Sequence, residues 1–242
     1  MNQTVPASLY VVATPIGNRG DFSARAKEIL SSVSAVICED TRRTGILLSE
    51  LGMKNKLISY HDHNEKNRVQ EIIKLLKNGD SIALVSDAGT PCISDPGYRI
   101  VRACQEEGIR VSSVPGACAA IGALSISGLP TDRFIFEGFL PPKGAKRSRR
   151  IDVILGSNCT SIVYESTHKI EKLLQELAEK APDREVVIVR ELTKTYEETL
   201  RGLAKDLYEN IKKRAGLKGE IVVLISRKDS KGSEQEVADD LS

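Results

Sequence analysis

Tryptophan is absent from this 242-residue chain, and aromatic residues make up only 4% of it. That scarcity argues against a fold built on stacked aromatic platforms, such as an OB-type single-strand binder with several stacking rings. A bias of charge is also lacking. The formal net charge is +2, so any nucleic-acid contact has to come from local patches and not from a uniformly basic surface. Cysteine is present at Cys38, Cys92, Cys104, Cys118 and Cys159, but no CxxC pair occurs. Neither a zinc knuckle nor a redox motif is supported, and buried free thiols in a reducing cytosol are expected. The opening MNQTVPASLYVVATPIG has neither a basic n-region nor a long apolar h-region, so it is not read as a signal peptide. No apolar run reaches the length of a membrane span. A cytoplasmic protein with no membrane partner is the expectation.

Two phosphate-gripping motifs are missing as well. There is no GxxxxGK[ST] cradle for a triphosphate. No GxGxxG follows the first apolar run, so the dinucleotide fingerprint is absent.

What the chain does contain is alternation. Strand-type runs at 9–13, 35–37, 56–60, 82–85 and 110–114 are separated by helix-type stretches at 24–30, 44–51, 68–76 and 98–107. Val69, Ile72, Ile73 and Leu76 form an i, i+3, i+4, i+7 stripe. Such alternation predicts a mostly parallel sheet with helices on both faces. The segment 115–130 changes character, being rich in Gly, Ala and Ser, and reads as a glycine turn and short helix leading into a second unit. There, strands are expected at 134–139, 161–165, 185–189, 197–200 and 220–226, with helices at 148–155, 170–180 and 203–213. Two β-rich segments late in the chain suggest a mixed sheet. The expected organisation is an α/β chain of two α/β domains, an N-terminal one over 1–116 and a C-terminal one over 117–228. The polar tail 229–242 reads as disordered.

Three loops each follow a predicted strand: Thr14-Pro15-Ile16-Gly17-Asn18; Ser86-Asp87-Ala88-Gly89-Thr90-Pro91, continuing to Ser94-Asp95-Pro96-Gly97; and Pro115-Gly116-Ala117. Ligands of open parallel sheets bind at the carboxyl ends of strands, and glycine there lets the backbone approach closely. Each loop alone is equally a tight turn; together they point to one pocket. A ligand held by backbone groups, small residues and carboxylates, without phosphate grips, suits S-adenosylmethionine (SAM).

The segments Leu9–Asn18, Cys38-Glu39-Asp40-Thr41-Arg42-Arg43-Thr44-Gly45, His61-Asp62-His63-Asn64-Glu65 and Ser86–Gly97 resemble signatures of the tetrapyrrole methylase superfamily. More narrowly they resemble its branch acting on small-subunit ribosomal RNA. Asp132-Arg133-Phe134 through Pro141, Tyr164–His168, Arg190–Lys194 and Lys218-Gly219-Glu220 are similar to the same branch, so the likeness runs from about Leu9 to Arg227. Arg19-Gly20 and Ala117 depart mildly from its pattern. The resemblance implies two α/β domains with a SAM cleft between them. It also implies methylation of a cytidine ribose 2′-hydroxyl in the decoding region of 16S rRNA, and a homodimer. A small-molecule methylase acting on a tetrapyrrole is the alternative; the basic loop described below argues against it, because a macrocycle needs no phosphate contacts.

On this reading Asp87 and Gly89 lead the cofactor residues, with Pro15 and Ile16 on another wall. Ser94 and Ala119 line the slot, and Tyr164 and Gly219 come from the second domain. A 2′-hydroxyl needs a group to take its proton, or at least precise alignment with the methyl group. Glu39, Asp40, His63 and Glu165 are candidates for the base. Glu39 and Asp40 serve equally as a cap for the following helix, and the base stays unassigned. Arg42 and Arg43 suit RNA contact or a solvated surface pair. His61 and His63 would share a strand face, but no third ligand supports a metal. Lys143, Lys146, Arg147, Arg149 and Arg150 form an acid-free cationic loop after Pro141-Pro142. Lys146, Arg147, Arg149 and Arg150 in particular suit RNA phosphates.

Overall fold

The computed structural model describes residues 6–214 and 217–228. The polar tail expected from 229 onward lies outside the described residues. The chain divides into two compact units, 1–118 and 119–242.

In the first unit the strands are β1 (Leu9–Val12), β2 (Ala35–Cys38), β3 (Leu57–Ser59), β4 (Ile82–Leu84) and β5 (Val111–Val114). They alternate with α1 (Ala24–Ser32), α2 (Thr41–Glu50), α3 (Glu65–Lys77) and α4 (Tyr98–Glu106). All pairings are parallel, in the order β3-β2-β4-β1-β5. Strand side chains alternate between faces, and each face has its own core. Tyr10, Val12, Val36 and Cys38 pack with Ala26, Ile29, Leu30 and Leu47. Leu9, Ala35, Ile37, Ile82 and Leu84 pack with Ile72, Ile73, Leu76 and Ile100. The apolar stripe of α3 is therefore used as expected, with Val69, Ile72, Ile73 and Leu76 buried. Polar side chains set the starts of α1 and α2: Ser23 accepts from the Ala26 N–H at 3.1 Å and Asp40 from the Arg42 N–H at 2.9 Å.

The strand order has a consequence for ligands. The chain leaves β1 towards β2 and leaves β4 towards β5, and these two adjacent strands hand their crossovers to opposite sides. That reversal opens a crevice beyond the carboxyl ends of β1 and β4, the usual ligand position in such sheets.

The second unit begins with α5 (Ala119–Ser127). It continues through β6 (Phe134–Phe139), α6 (Ala145–Gly156), β7 (Thr160–Glu165), α7 (Ile170–Lys180), β8 (Glu185–Arg190), β9 (Glu198–Leu203), α8 (Ala204–Lys213) and β10 (Ile221–Ile225). The sheet order is β6-β7-β10-β8-β9, and the sheet is mixed: β6 and β7 run parallel and the other pairings are antiparallel. Val163, Val186, Ile188, Val223 and Ile225 form one core with α6, α7 and α8. The small-residue helix α5 covers the other face, packing on β10, β7 and β8. Edge strand β6 carries a register shift between Phe136 and Gly138, and Gly138 has φ 62°. A bulge of this kind re-aims neighbouring side chains.

Among the described residues, no helix is long and apolar enough to cross a membrane.

Candidate functional site

The three strand-end loops of the first unit are tied to one another. Thr14 and Gly89 form an isolated antiparallel bridge, with N–H···O distances of 2.9 and 3.0 Å. The buried Thr14 hydroxyl donates to the Ser86 carbonyl at 3.1 Å. Thr90 Oγ1 donates to the Ala117 carbonyl at 2.9 Å, which brings in the third loop. Glycine is required where these backbones meet. Gly89 has φ +88°, and a Cβ there would lie 3.2 Å from Ile16 Cγ2; a Cβ on Gly116 would lie 2.9 Å from Ala13 Cβ. Pro15, Ile16, Asp87 and Gly89 thus come together at the reversal between β1 and β4, with Pro15 and Gly89 buried.

Carboxylates gather at the same edge. Asp87 pairs with Arg43 at 3.1 Å through Oδ2, while its Oδ1 is buried without a partner. An unsatisfied buried acceptor is costly, and a bound donor group would relieve it. Asp95 sits on the same loop in a stretch where Cys92 and Ser94 adopt φ 71° and 66°. Burial pushes the Asp95 carboxyl up to about 6; a hydrogen bond from Ser86 opposes this, and the Glu39, Asp87 and Asp62 charges add to it. Desolvation, then the Asp87 and Asp62 charges, also raise Glu39 above its usual range, with His61 and Arg43 pulling the other way. The Glu39 side chain nevertheless reaches solvent, so an acceptor hydroxyl can approach it. Asp95 and Asp62 were not singled out by sequence reasoning. The signal available for Asp95 was its place in the loop after β4; its burial was not visible.

Asp40 behaves differently from its neighbour. It caps α2 and also receives Arg42 Nε and Nη2 at 3.1 and 2.8 Å. The Arg42 guanidinium holds this carboxyl far below the ordinary range. A carboxylate so satisfied is a poor proton acceptor, so Asp40 leaves the set of base candidates and the capping alternative is the one observed. Arg42 is correspondingly engaged, and Arg43 faces Asp87.

His61 and His63 do not lie on a strand. They occupy the turn between β3 and α3, because the His61 N–H donates to Asn64 Oδ1 at 2.9 Å and bends the chain. Their rings meet edge-on at 5.9 Å. Among the described residues, no group of three His, Cys, Asp or Glu side chains is placed to hold a metal ion.

In the second unit Ala119 opens α5, and the Ala120 N–H donates to the Tyr164 hydroxyl at 3.1 Å. Tyr164 stands near the carboxyl end of β7, where it is the register partner of Val222 on β10. Gly219 has φ +101° and packs directly against the Glu191 carboxyl, leaving no room for a Cβ. Glu191 Oε1 accepts from the Glu220 N–H and from Lys194 Nζ, both at 2.9 Å. Tyr164 and Gly219 therefore share one end of the mixed sheet. Ser94, of the first unit, is exposed.

Two expectations change here. Arg147 is not on the surface. It falls on the core-facing stripe of α6 with Ile151 and Ile154, is 1% exposed, and bonds Glu176 at 2.7 Å and Glu165 at 3.4 Å. A guanidinium so enclosed reaches no phosphate. Glu165 is 4% exposed; it is paired to Arg147 and accepts from the Ser166 N–H at 2.8 Å. Buried and satisfied, it is a structural partner and not a proton acceptor. The expected cationic loop is largely the first two turns of α6, and Lys146, Arg149 and Arg150 remain exposed on it.

The described geometry is that of a parallel sheet whose glycine loops form a carboxylate-lined cradle, accompanied by a mixed-sheet unit. A profile of the tetrapyrrole (corrin/porphyrin) methylases matches residues 8–208, and the chain belongs to that family. It is 45% identical over 235 residues to ribosomal RNA small subunit methyltransferase I of Haemophilus influenzae, covering 95% of this chain and 82% of the relative. To the protein of the same name from Thermotoga maritima it is 43% identical over 221 residues, covering 91% and 99%. Solved structures share the fold at low identity. A uroporphyrin-III C-methyltransferase from Thermus thermophilus, complexed with S-adenyl homocysteine, aligns with TM-score 0.60 and 17% identity over 90% of this chain and 96% of that one. A diphthine synthase aligns with TM-score 0.68 and 15% identity over 90% and 89%.

Proposed function

We propose that this methyltransferase moves a methyl group from SAM to the ribose 2′-hydroxyl of a cytidine in the decoding region of 16S rRNA. The single structural observation carrying the SAM part is the stitched cradle of Thr14, Gly89 and Ala117 beside the unpartnered Asp87 Oδ1. Backbone groups and Asp87 would hold SAM there, with Pro15, Ile16 and Ser94 of the same unit as further contacts. SAM supplies an electrophilic methyl group on a sulfonium, whose positive charge suits an acidic edge. The RNA part rests on relatives at 43–45% identity named for ribosomal RNA and on the exposed cations Lys146 and Arg149, which have no carboxylate partner among the described residues. Those relatives favour RNA over the tetrapyrrole alternative, since the tetrapyrrole-named neighbour shares 17% identity.

The protein's own chemical task is alignment of the acceptor oxygen and removal of its proton. Asp95, pushed up to about 6 by burial, suits proton acceptance near neutral pH, and Glu39 is also raised above its ordinary range. Asp87 serves the cofactor, and Arg42 and Arg43 border the same edge as contacts for RNA. A ribosomal RNA substrate favours a cytoplasmic location. Homodimer formation follows from the family resemblance, and exposed apolar side chains such as Ile121 and Ile126 on α5 leave surface for it.

The test is incubation of the protein with radiolabelled SAM and small ribosomal subunits lacking the modification, followed by mapping of the label. A labelled ribose in the decoding region is expected. Bound SAM with no label in RNA would return the tetrapyrrole alternative.

A further inference from the structure

The second unit carries a hollow of about 400 Å³ lined by Glu137, Phe139, Leu140, Lys146, Arg149 and Arg150, among others. That volume lies in the range of ordinary ligand pockets, roughly 300–1,000 Å³. Its chemistry is unusual for a surface depression. Lys146, Arg149, Arg150 and Val153 recur at i, i+3, i+4 and i+7 on α6, so they share one helix face, distinct from the buried Arg147 stripe. Facing them is Phe139, 64% exposed on an edge strand of a chain that has only four phenylalanines. The ring is not loose: it meets Tyr164 edge-to-face at 5.7 Å, and Tyr164 is also braced by Phe136 at 4.9 Å.

Charge in the hollow is partitioned. Arg150 is committed to Glu137 at 2.5 Å, and Glu137 is only 3% exposed beneath it. Arg149 makes only a long bond of 3.4 Å to the Ala145 carbonyl on its own helix. Neither Lys146 nor Arg149 has a carboxylate partner among the described residues. The hollow therefore offers one supported aromatic face, two uncommitted cations and a neutral floor. A single-stranded nucleotide presents the complement, a base with a π-face flanked by phosphates.

We propose that this hollow is a subsite for one unstacked nucleotide of the RNA substrate, its base on Phe139 and its flanking phosphates at Lys146 and Arg149. The proposal rests on the reading of the protein as an RNA methyltransferase and gives that reading a second point of contact. Arg150, held by Glu137, positions the wall and is not counted as a phosphate ligand.

The chain's lack of tryptophan makes a direct test possible. In a Phe139→Trp variant the one indole sits in the hollow. Its fluorescence should be quenched saturably by a single-stranded oligonucleotide of decoding-region sequence, and not by a blunt duplex. In binding assays Phe139→Ala should weaken single-strand affinity about tenfold with the salt slope unchanged. Lys146→Ala/Arg149→Ala should weaken it and flatten the log–log salt slope by roughly 1.4, about 0.7 for each single-strand phosphate that is no longer neutralised. SAM affinity serves as the folding control for every variant and should not move. RNA binding and methylation that persist unchanged in all three variants, with an unquenched indole, would overturn the subsite alone. Absence of RNA methylation by the unaltered protein would overturn the functional reading beneath it.

Discussion

Thr14 and Gly89 exchange two backbone hydrogen bonds, at 2.9 and 3.0 Å, across loops that leave neighbouring parallel strands. This antiparallel stitch joins residues 75 apart in sequence and lines the crevice where the crossovers reverse. It makes the backbone itself a wall, and a side chain at Gly89 would be both strained and crowded there.

Gly89→Ala should therefore be damaging on two counts. Its φ of +88° is a left-handed conformation that costs an L-residue about 1–2 kcal/mol, and its Cβ would press on Ile16 Cγ2. The expected outcome is a comparable loss of unfolding free energy in urea titration, together with at least tenfold weaker SAM binding by calorimetry. A variant with undiminished SAM affinity would show that the cradle is not the cofactor wall.

Asp87→Ala removes the carboxyl whose Oδ1 lacks a partner. A hydrogen bond involving a charged group contributes about 1.5–3 kcal/mol, so SAM affinity should drop roughly ten- to a hundredfold. RNA affinity should stay near its original value. Arg43→Ala breaks the exposed ion pair to Asp87 and should alter SAM binding much less. Equal losses in the two variants would mean that Asp87 acts through Arg43.

Asp95 provides a pH signature. Its folded carboxyl titrates at about 6 against an ordinary 3.8, so between those values the folded state holds a proton that the unfolded chain has released. Stability from this group is thus lost as pH rises from about 4 to 6. Asp95→Asn should be more stable than the parent at pH 7.5, on the order of 1–2 kcal/mol once solvent screening is counted, with no advantage at pH 4. Thermal melts across that interval read this directly. If Asp95 takes the substrate proton, kcat falls in the same variant while SAM affinity holds; an unchanged kcat moves the role to Glu39 or His63, or to alignment alone.

Arg147 gives the opposite kind of test. Arg147→Met strands Glu165 as a buried charge, and breaking a buried pair from one side costs about 3–5 kcal/mol. Adding Glu165→Gln should restore much of that loss. The salt slope of RNA binding should not change in the double variant, because neither side chain reaches the surface. A flattened slope would return Arg147 to the RNA surface.

Much of the architecture was legible in the chain itself. The alternation of short apolar runs with stripes such as Val69, Ile72, Ile73 and Leu76 announced parallel strands and covering helices, because burial on a strand repeats every two residues and on a helix every 3.6. Two of the three loops were legible for a related reason, since Gly89 takes a positive φ and a Cβ on Gly116 would press on Ala13. Periodicity is local, and the chain carries it openly. What tertiary structure alone decided is the fate of individual charges. Within the cationic run 143–150, Arg147 turns to the core and Lys146 and Arg149 turn outward; that depends on where α6 begins and which side it lays on the sheet. Asp40 is quenched by Arg42 while Glu39 beside it is not, and Asp95 is lifted by burial that no neighbouring letter reveals. Charge energetics depend on distance and solvent exclusion between residues far apart in sequence. Sequence order therefore pointed to several of the loop residues that the first sheet gathers, and only the fold sorted the charges around them into those bound to one another and those left open.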